Sequence, residues 1–192
     1  MRVFLDFEAS SLRKASYPID VGWVFETGEG ESHLIRPADD WLDWDPAAEA
    51  VHGLARDRLV REGVPPGAVA RRMVEVLSGH ALHASAPSWD GKWLSVLLRR
   101  AGLSRRALTL QDTDEANVAL IAEILLGAVE AGAIADLTPG ILAGARTARA
   151  GGVVRHRSLA DAEEEWQVWR VVGRMARETL DRLAGQAVGT AD

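Results

Sequence analysis

The chain has 192 residues, 47% hydrophobic and 26% charged, which suits one domain with a substantial core and is too short for two comfortable ones. It contains no cysteine, which excludes a disulfide framework and thiolate metal sites, and a cytoplasmic protein is the simplest expectation. The formal charge of -6 argues against gripping nucleic acid through a broad basic surface, although four carboxylates holding two divalent cations would bring the loaded protein to about -2. No membrane partner is expected either. The most apolar run, VALIAEILLGAVEAGAIA, is interrupted by Glu123 and Glu130, and Asp6 follows Met1 too closely for a signal-peptide apolar region.

The first stretch, MRVFLDFEAS, alternates as a strand does, so Asp6 and Glu8 emerge side by side on one face. Like charges so placed repel, and a structure that keeps them supplies a cation or a solvated edge. After the polar loop SSLRKASYP, the segments IDVGWVFE and ESHLIRP around TGEG read as a hairpin. ADDWLDWDPAAEAVHGL reads as irregular. Its acids Asp39, Asp40, Asp43 and Asp45 lack the glycine and terminal glutamate of a calcium loop, so an exposed loop anchored by Trp41 and Trp44 is expected.

ARDRLVREG and GAVARRMVEVLSG read as helices, ALHAS as a short strand, and the chain from Trp89 as a helix. ALTLQDT reads as a strand leading into a helix from Asp114, and TPGILAGARTARAGG as a helix with loose ends. Alternation of strands and helices in this half implies crossovers and a partly parallel sheet. From Ser158, the positions Leu159, Ala162, Trp166, Trp169, Ala176, Leu180 and Leu183 recur at helical spacing, a stripe expected to pack on the sheet. One domain over 1–185 and a flexible tail over 186–192 are expected.

Three further positions carry chemistry, each with an ordinary reading beside it. Asp90 in SAPSWDGKWL stands at the mouth of a helix, where a carboxylate caps. Asp161 completes Ser158-Leu159-Ala160-Asp161, the pattern of a capping box. His156 just before it reads as a polar loop residue. Taken in order, D-x-E on the first strand, W-D at a strand-to-helix junction and H-x4-D opening the last helix resemble the DEDDh family of 3'-5' exonucleases, the DnaQ-like group of the ribonuclease H-like folds. LDFEASSL resembles the first motif, AVHGL the short His-Gly segment after the hairpin, SWDGKWL the second motif and HRSLADA the third.

The resemblance implies an α/β, ribonuclease H-like mixed sheet of three antiparallel and then parallel strands flanked by helices. It implies a two-metal hydrolase of phosphodiesters at 3' ends of single-stranded RNA or DNA, with two Mg2+ or Mn2+ as cofactors. By resemblance Asp6 bridges both ions, Glu8 and Asp161 complete the nucleophile-side site, Asp90 serves the second ion, and His156 takes the proton of the attacking water. Imidazole titrates near neutrality, and such general-base help is worth about a hundredfold to ten-thousandfold.

The chain departs from the family at Ser85-Ala86-Pro87-Ser88, where many members carry His-Asn-Ala, so an asparagine that helps hold substrate is missing. Implied substrate contacts are Ala9 by backbone, Ser10, Leu12 as a wedge between the last two bases, His52, Gly53 and Leu54 around the terminal sugar and base, and the aromatic Trp89. Two other readings stay open. One is a non-catalytic nucleic-acid-binding or docking module of the same fold, and the other a hydrolase of very short oligonucleotides. A homodimer is compatible with all three. His80 and His83 lack an acidic partner at zinc spacing, Asp112 reads as a helix cap, and Trp23, Trp93, Trp166 and Trp169 read as core.

Overall fold

The structure is a computed structural model that describes residues 1–149 and 156–189, with side chains through 185. It opens with β1 (Arg2–Ala9), β2 (Pro18–Phe25) and β3 (Gly30–Leu34), followed by helices α1 (Pro46–His52), α2 (Arg56–Glu62) and α3 (Pro66–Leu77). Then come β4 (Ala81–Ala84), α4 (Pro87–Arg100), β5 (Leu110–Asp112), α5 (Thr113–Leu125), α6 (Ala131–Arg149) and α7 (Ser158–Gly189). The five strands form one sheet in the order β3-β2-β1-β4-β5. β1 pairs antiparallel with β2 and parallel with β4, and β4 pairs parallel with β5, the mixed arrangement expected. Among the described residues no helix is long and apolar enough to cross a membrane.

Close contacts divide the chain into two compact units, Met1–Asp112 with Val154–Trp166 and Thr113–Val153 with Gln167–Asp192. In the first, alternation along β1 and β2 sends Val3, Leu5, Phe7, Val21 and Trp23 into a core shared with Val69, Met73 and Leu77 of α3 and Trp93, Leu94 and Leu97 of α4. A smaller cluster of Tyr17, Ile19, Leu54 and Leu59 joins the start of β2 to α2 and the chain just before it. The second unit has its own core of Leu120, Ile121 and Leu125 from α5, Ile141 and Ala145 from α6, and Val172 and Ala176 from α7.

Three local expectations change. The stretch read as irregular holds α1, because Asp45 accepts a hydrogen bond from the Ala47 N–H, Pro46 pre-sets the first turn, and Gly53 ends the helix at φ 68°. The apolar run after Asp114 is two helices, broken at Gly127, and α6 starts well before Thr138 with Pro139 inside it. The stripe of α7 does not serve the sheet alone. Its first turn lies on β2 at Gly22 and Trp166 donates to the Glu26 carbonyl just past that strand at 3.1 Å, whereas Trp169, Ala176 and Leu180 pack with the core of α5 and α6.

The seat of α7 on the sheet depends on Gly22, where a Cβ would overlap the backbone of Leu159. Gly22→Ala is expected to cost about 1–3 kcal/mol by overpacking, read as a Tm lower by roughly 2–10 °C. Gly91→Ala, on α4 with open space beside it, should leave Tm unchanged or raise it. Equal Tm values for wild type and Gly22→Ala would show that the helix does not approach β2 this closely.

Candidate active site

The β1–β2 register sets Asp6 opposite Gly22 and Glu8 opposite Asp20. Directly opposed residues share a face, so three carboxylates gather there beside the gap that Gly22 leaves for the start of α7. The pairing shifts register between Glu8 and Ala9, at the end of this face.

His156 and Asp161 arrive with that helix start. His156 is exposed and holds a left-handed backbone, φ 44°, an uncommon conformation for a side-chain-bearing residue. The capping box read at Ser158 does not form. The Asp161 N–H donates to the Arg157 carbonyl at 3.0 Å, and the buried Ser158 Oγ has no hydrogen-bond partner among the described residues. One ligand atom each of Glu8, His156 and Asp161 lies within 4.8 Å of the others. Asp90 stands in the first turn of α4, inside the cap position held by Ala86. It is 2% exposed, and its Oδ2 has no partner among the described residues.

The crowding shows in the acidities. Burial raises the Asp6 carboxyl well above its usual range, and Asp90, Glu8, Asp161 and Asp20 push it further. Burial, with Asp161 and Asp20, brings Glu8 to about 7 against the pull of Arg157. Asp90 is also pushed to about 7 by burial, partly offset by backbone hydrogen bonding at Ala86, Phe7 and its own amide. Burial raises Asp161 too, with His156 opposing.

Carboxylate oxygens beside one imidazole, a buried unpartnered carboxylate oxygen and mutual repulsion fit hard divalent cations. A carboxyl with a raised pKa keeps its proton in the folded chain at pH values where the unfolded chain has lost it. Its contribution to stability therefore falls as pH rises from about 4 to about 7. Without metal, Tm is expected to fall between pH 5.5 and 8. Magnesium should raise Tm more at pH 8, where the cluster is ionised, than at pH 5.5. Calorimetry in EDTA and in magnesium checks this, and an equal magnesium effect at both pH values would contradict it.

Beside Glu8 lies a cavity of about 360 Å3 lined in part by Ala9, Leu12, His52 and Trp93. Of the substrate contacts implied by sequence, Ala9, Leu12 and His52 are at this cavity. Ser10 is buried, with its Oγ accepting the Tyr17 N–H at 3.2 Å, and Leu54 is in the smaller core. Gly53 caps α1, and Trp89 lies against Trp93 with the Lys92 ammonium 5.0 Å from its ring centre.

His52 Nδ1 accepts the Leu54 N–H at 3.0 Å, and burial lowers its pKa, so the neutral ring carries its proton on Nε2. Reading the sequence alone gave no site role to Asp20, Asp45, Val51 or Trp93. Asp45 and Val51 also line the cavity, and Asp45 is ion-paired to Arg13 at 3.1 Å. Trp23 and Trp93 are buried as expected. His83 is buried, 3.3 Å from the Asp112 carbonyl.

Strand order, mixed pairing and flanking helices define a ribonuclease H-like α/β fold, with a carboxylate cluster at the end of its first strand. The chain is similar to E. coli exonuclease I solved with a dA16 oligonucleotide, at 15% identity and a TM-score of 0.66 over 94% of this chain and 42% of that one. It is also similar to the zinc-bound form of an E. coli exonuclease I complex with single-stranded DNA (17%, TM-score 0.64, 94% and 42%) and to product-bound exonuclease I (17%, TM-score 0.64, 94% and 45%). The chain thus spans less than half the length of those proteins. No family model and no curated protein matches the sequence.

Proposed function

We propose that this chain is a DEDDh-type, DnaQ-like 3'-5' exonuclease that removes nucleotides from the 3' ends of single-stranded DNA or RNA with two magnesium or manganese ions. The observation that carries this reading is the grouping of a His156 nitrogen with Glu8 and Asp161 oxygens within 4.8 Å, beside Asp6 and Asp90. Asp6, Glu8, Asp90 and Asp161 hold the cations. When bound, such ions would supply charge neutralisation at the phosphodiester and the departing oxygen, worth several kcal/mol.

His156, on the exposed side of the cluster, accepts the proton of the attacking water. Ala9 and Leu12 shape the cavity for the terminal nucleotide, and His52 offers its Nε2–H as a donor there. The fold shared with exonuclease I, solved with single-stranded oligonucleotides, supports this reading. Its test is digestion of matched 5'-labelled single-stranded DNA and RNA with magnesium. A ladder receding from the 3' end is expected, blocked by a 3'-phosphate, with the faster strand identifying the preferred sugar. Strands that stay full length in both magnesium and manganese would end it.

A further inference from the structure

Asp20 is the carboxylate of this face to which the proposed reaction gives no task. Its side chain is 2% exposed, and an aspartate so buried is costly unless it is paired. Its Oδ2 accepts the Arg157 Nε–H at 3.1 Å, while Oδ1 has no hydrogen-bond partner among the described residues. Packing alone would favour an apolar residue here. What the carboxylate adds is a fixed anchor for one arginine.

That arginine sits between the two residues of the third motif. Its neighbour His156 holds φ 44°, a strained conformation that persists only where the surroundings dictate it. Its carbonyl accepts the Asp161 N–H at 3.0 Å and so starts α7. Two residues along β2 from Asp20, Gly22 leaves room for the backbone of Leu159. The helix start is thus held on β2 by a close backbone approach and a directed ion pair.

We propose that Asp20 and Arg157 form a positioning pair that clamps the start of α7 to β2 and thereby aims His156 and Asp161 at Glu8. The proposal rests on the exonuclease reading for its kinetic consequence alone. The geometry of the clamp stands without turnover.

The test has two arms. In the first, kcat and KM on single-stranded DNA are measured for wild type, Asp20→Asn, Arg157→Gln and the double variant, and again in a His156→Ala background. Each single change is expected to lower kcat about 10- to 100-fold, the range for partners that orient a working side chain, with KM within about twofold. The double variant should be no worse than the poorer single one, because the two act as a unit. In the His156→Ala background, Asp20→Asn should cost less than in wild type, since only the aim of Asp161 is then left to lose. A loss there as large as in wild type, or additive single losses, would overturn the proposal.

The second arm needs neither metal nor substrate. Amide exchange followed by NMR in EDTA should show the Asp161 N–H exchanging at least about tenfold faster in both variants, while the amides of α3 keep wild-type rates. Unchanged exchange at Asp161 would overturn the clamp. If Asp20→Asn fails to fold, Arg157→Gln decides alone, since that side chain is 39% exposed. If wild type digests no strand, the exonuclease reading falls and the exchange arm still judges the clamp.

Discussion

Asp6→Ala is expected to lower kcat on single-stranded DNA by at least about a thousandfold. Cation stabilisation of a phosphodiester transition state is worth several kcal/mol, and each ~1.4 kcal/mol is a factor of ten. Asp6 lies where the fields of Asp90, Glu8, Asp161 and Asp20 all converge. The same change should make the metal-free chain more stable, because it removes a buried carboxylate that repels four others. The expected pattern is a higher Tm in EDTA together with loss of the magnesium-dependent rise. A variant that keeps wild-type turnover would remove Asp6 from the reaction, and one whose Tm falls in EDTA would contradict the repulsion.

His156→Ala is expected to cost about a hundredfold to ten-thousandfold in kcat with little change in KM, the range of general-base catalysis. Its nitrogen lies close enough to Glu8 and Asp161 to act instead as a metal ligand. Thermal stability separates the two roles. A base can be removed and leave the magnesium-dependent rise in Tm intact, whereas loss of a ligand should shrink it as Asp6→Ala does. Single-turnover rates and Tm titrations on the same preparation give both readings.

The two-residue alternation of β1 made the Asp6–Glu8 pair visible in the sequence, and hydrophobic spacing announced α3, α4 and α7. Other features depended on partners distant in the chain. Asp20 stands in an ordinary strand pattern, and only the register that sets it against Glu8, with Arg157 arriving from the far end of the chain, shows what it meets. Ser158 and Asp161 spell a capping box, yet the Asp161 N–H goes to the Arg157 carbonyl four residues back and the Ser158 Oγ stays without a partner among the described residues, so the helix starts one residue earlier than the pattern implies. The helix α1 was legible in Asp45-Pro46 and Gly53, and was obscured by the neighbouring acids. β5 has three residues, too few for alternation to mark its ends.

The carboxylates of β1 and the first turn of α4 are made early in synthesis, while His156 and Asp161 come with the last helix. A nascent chain still lacking α7 carries the acids without their counterpart. The order of elements therefore leaves the carboxylates of β1 and α4 without the His156 nitrogen and the Asp161 oxygen until the start of α7 has been made.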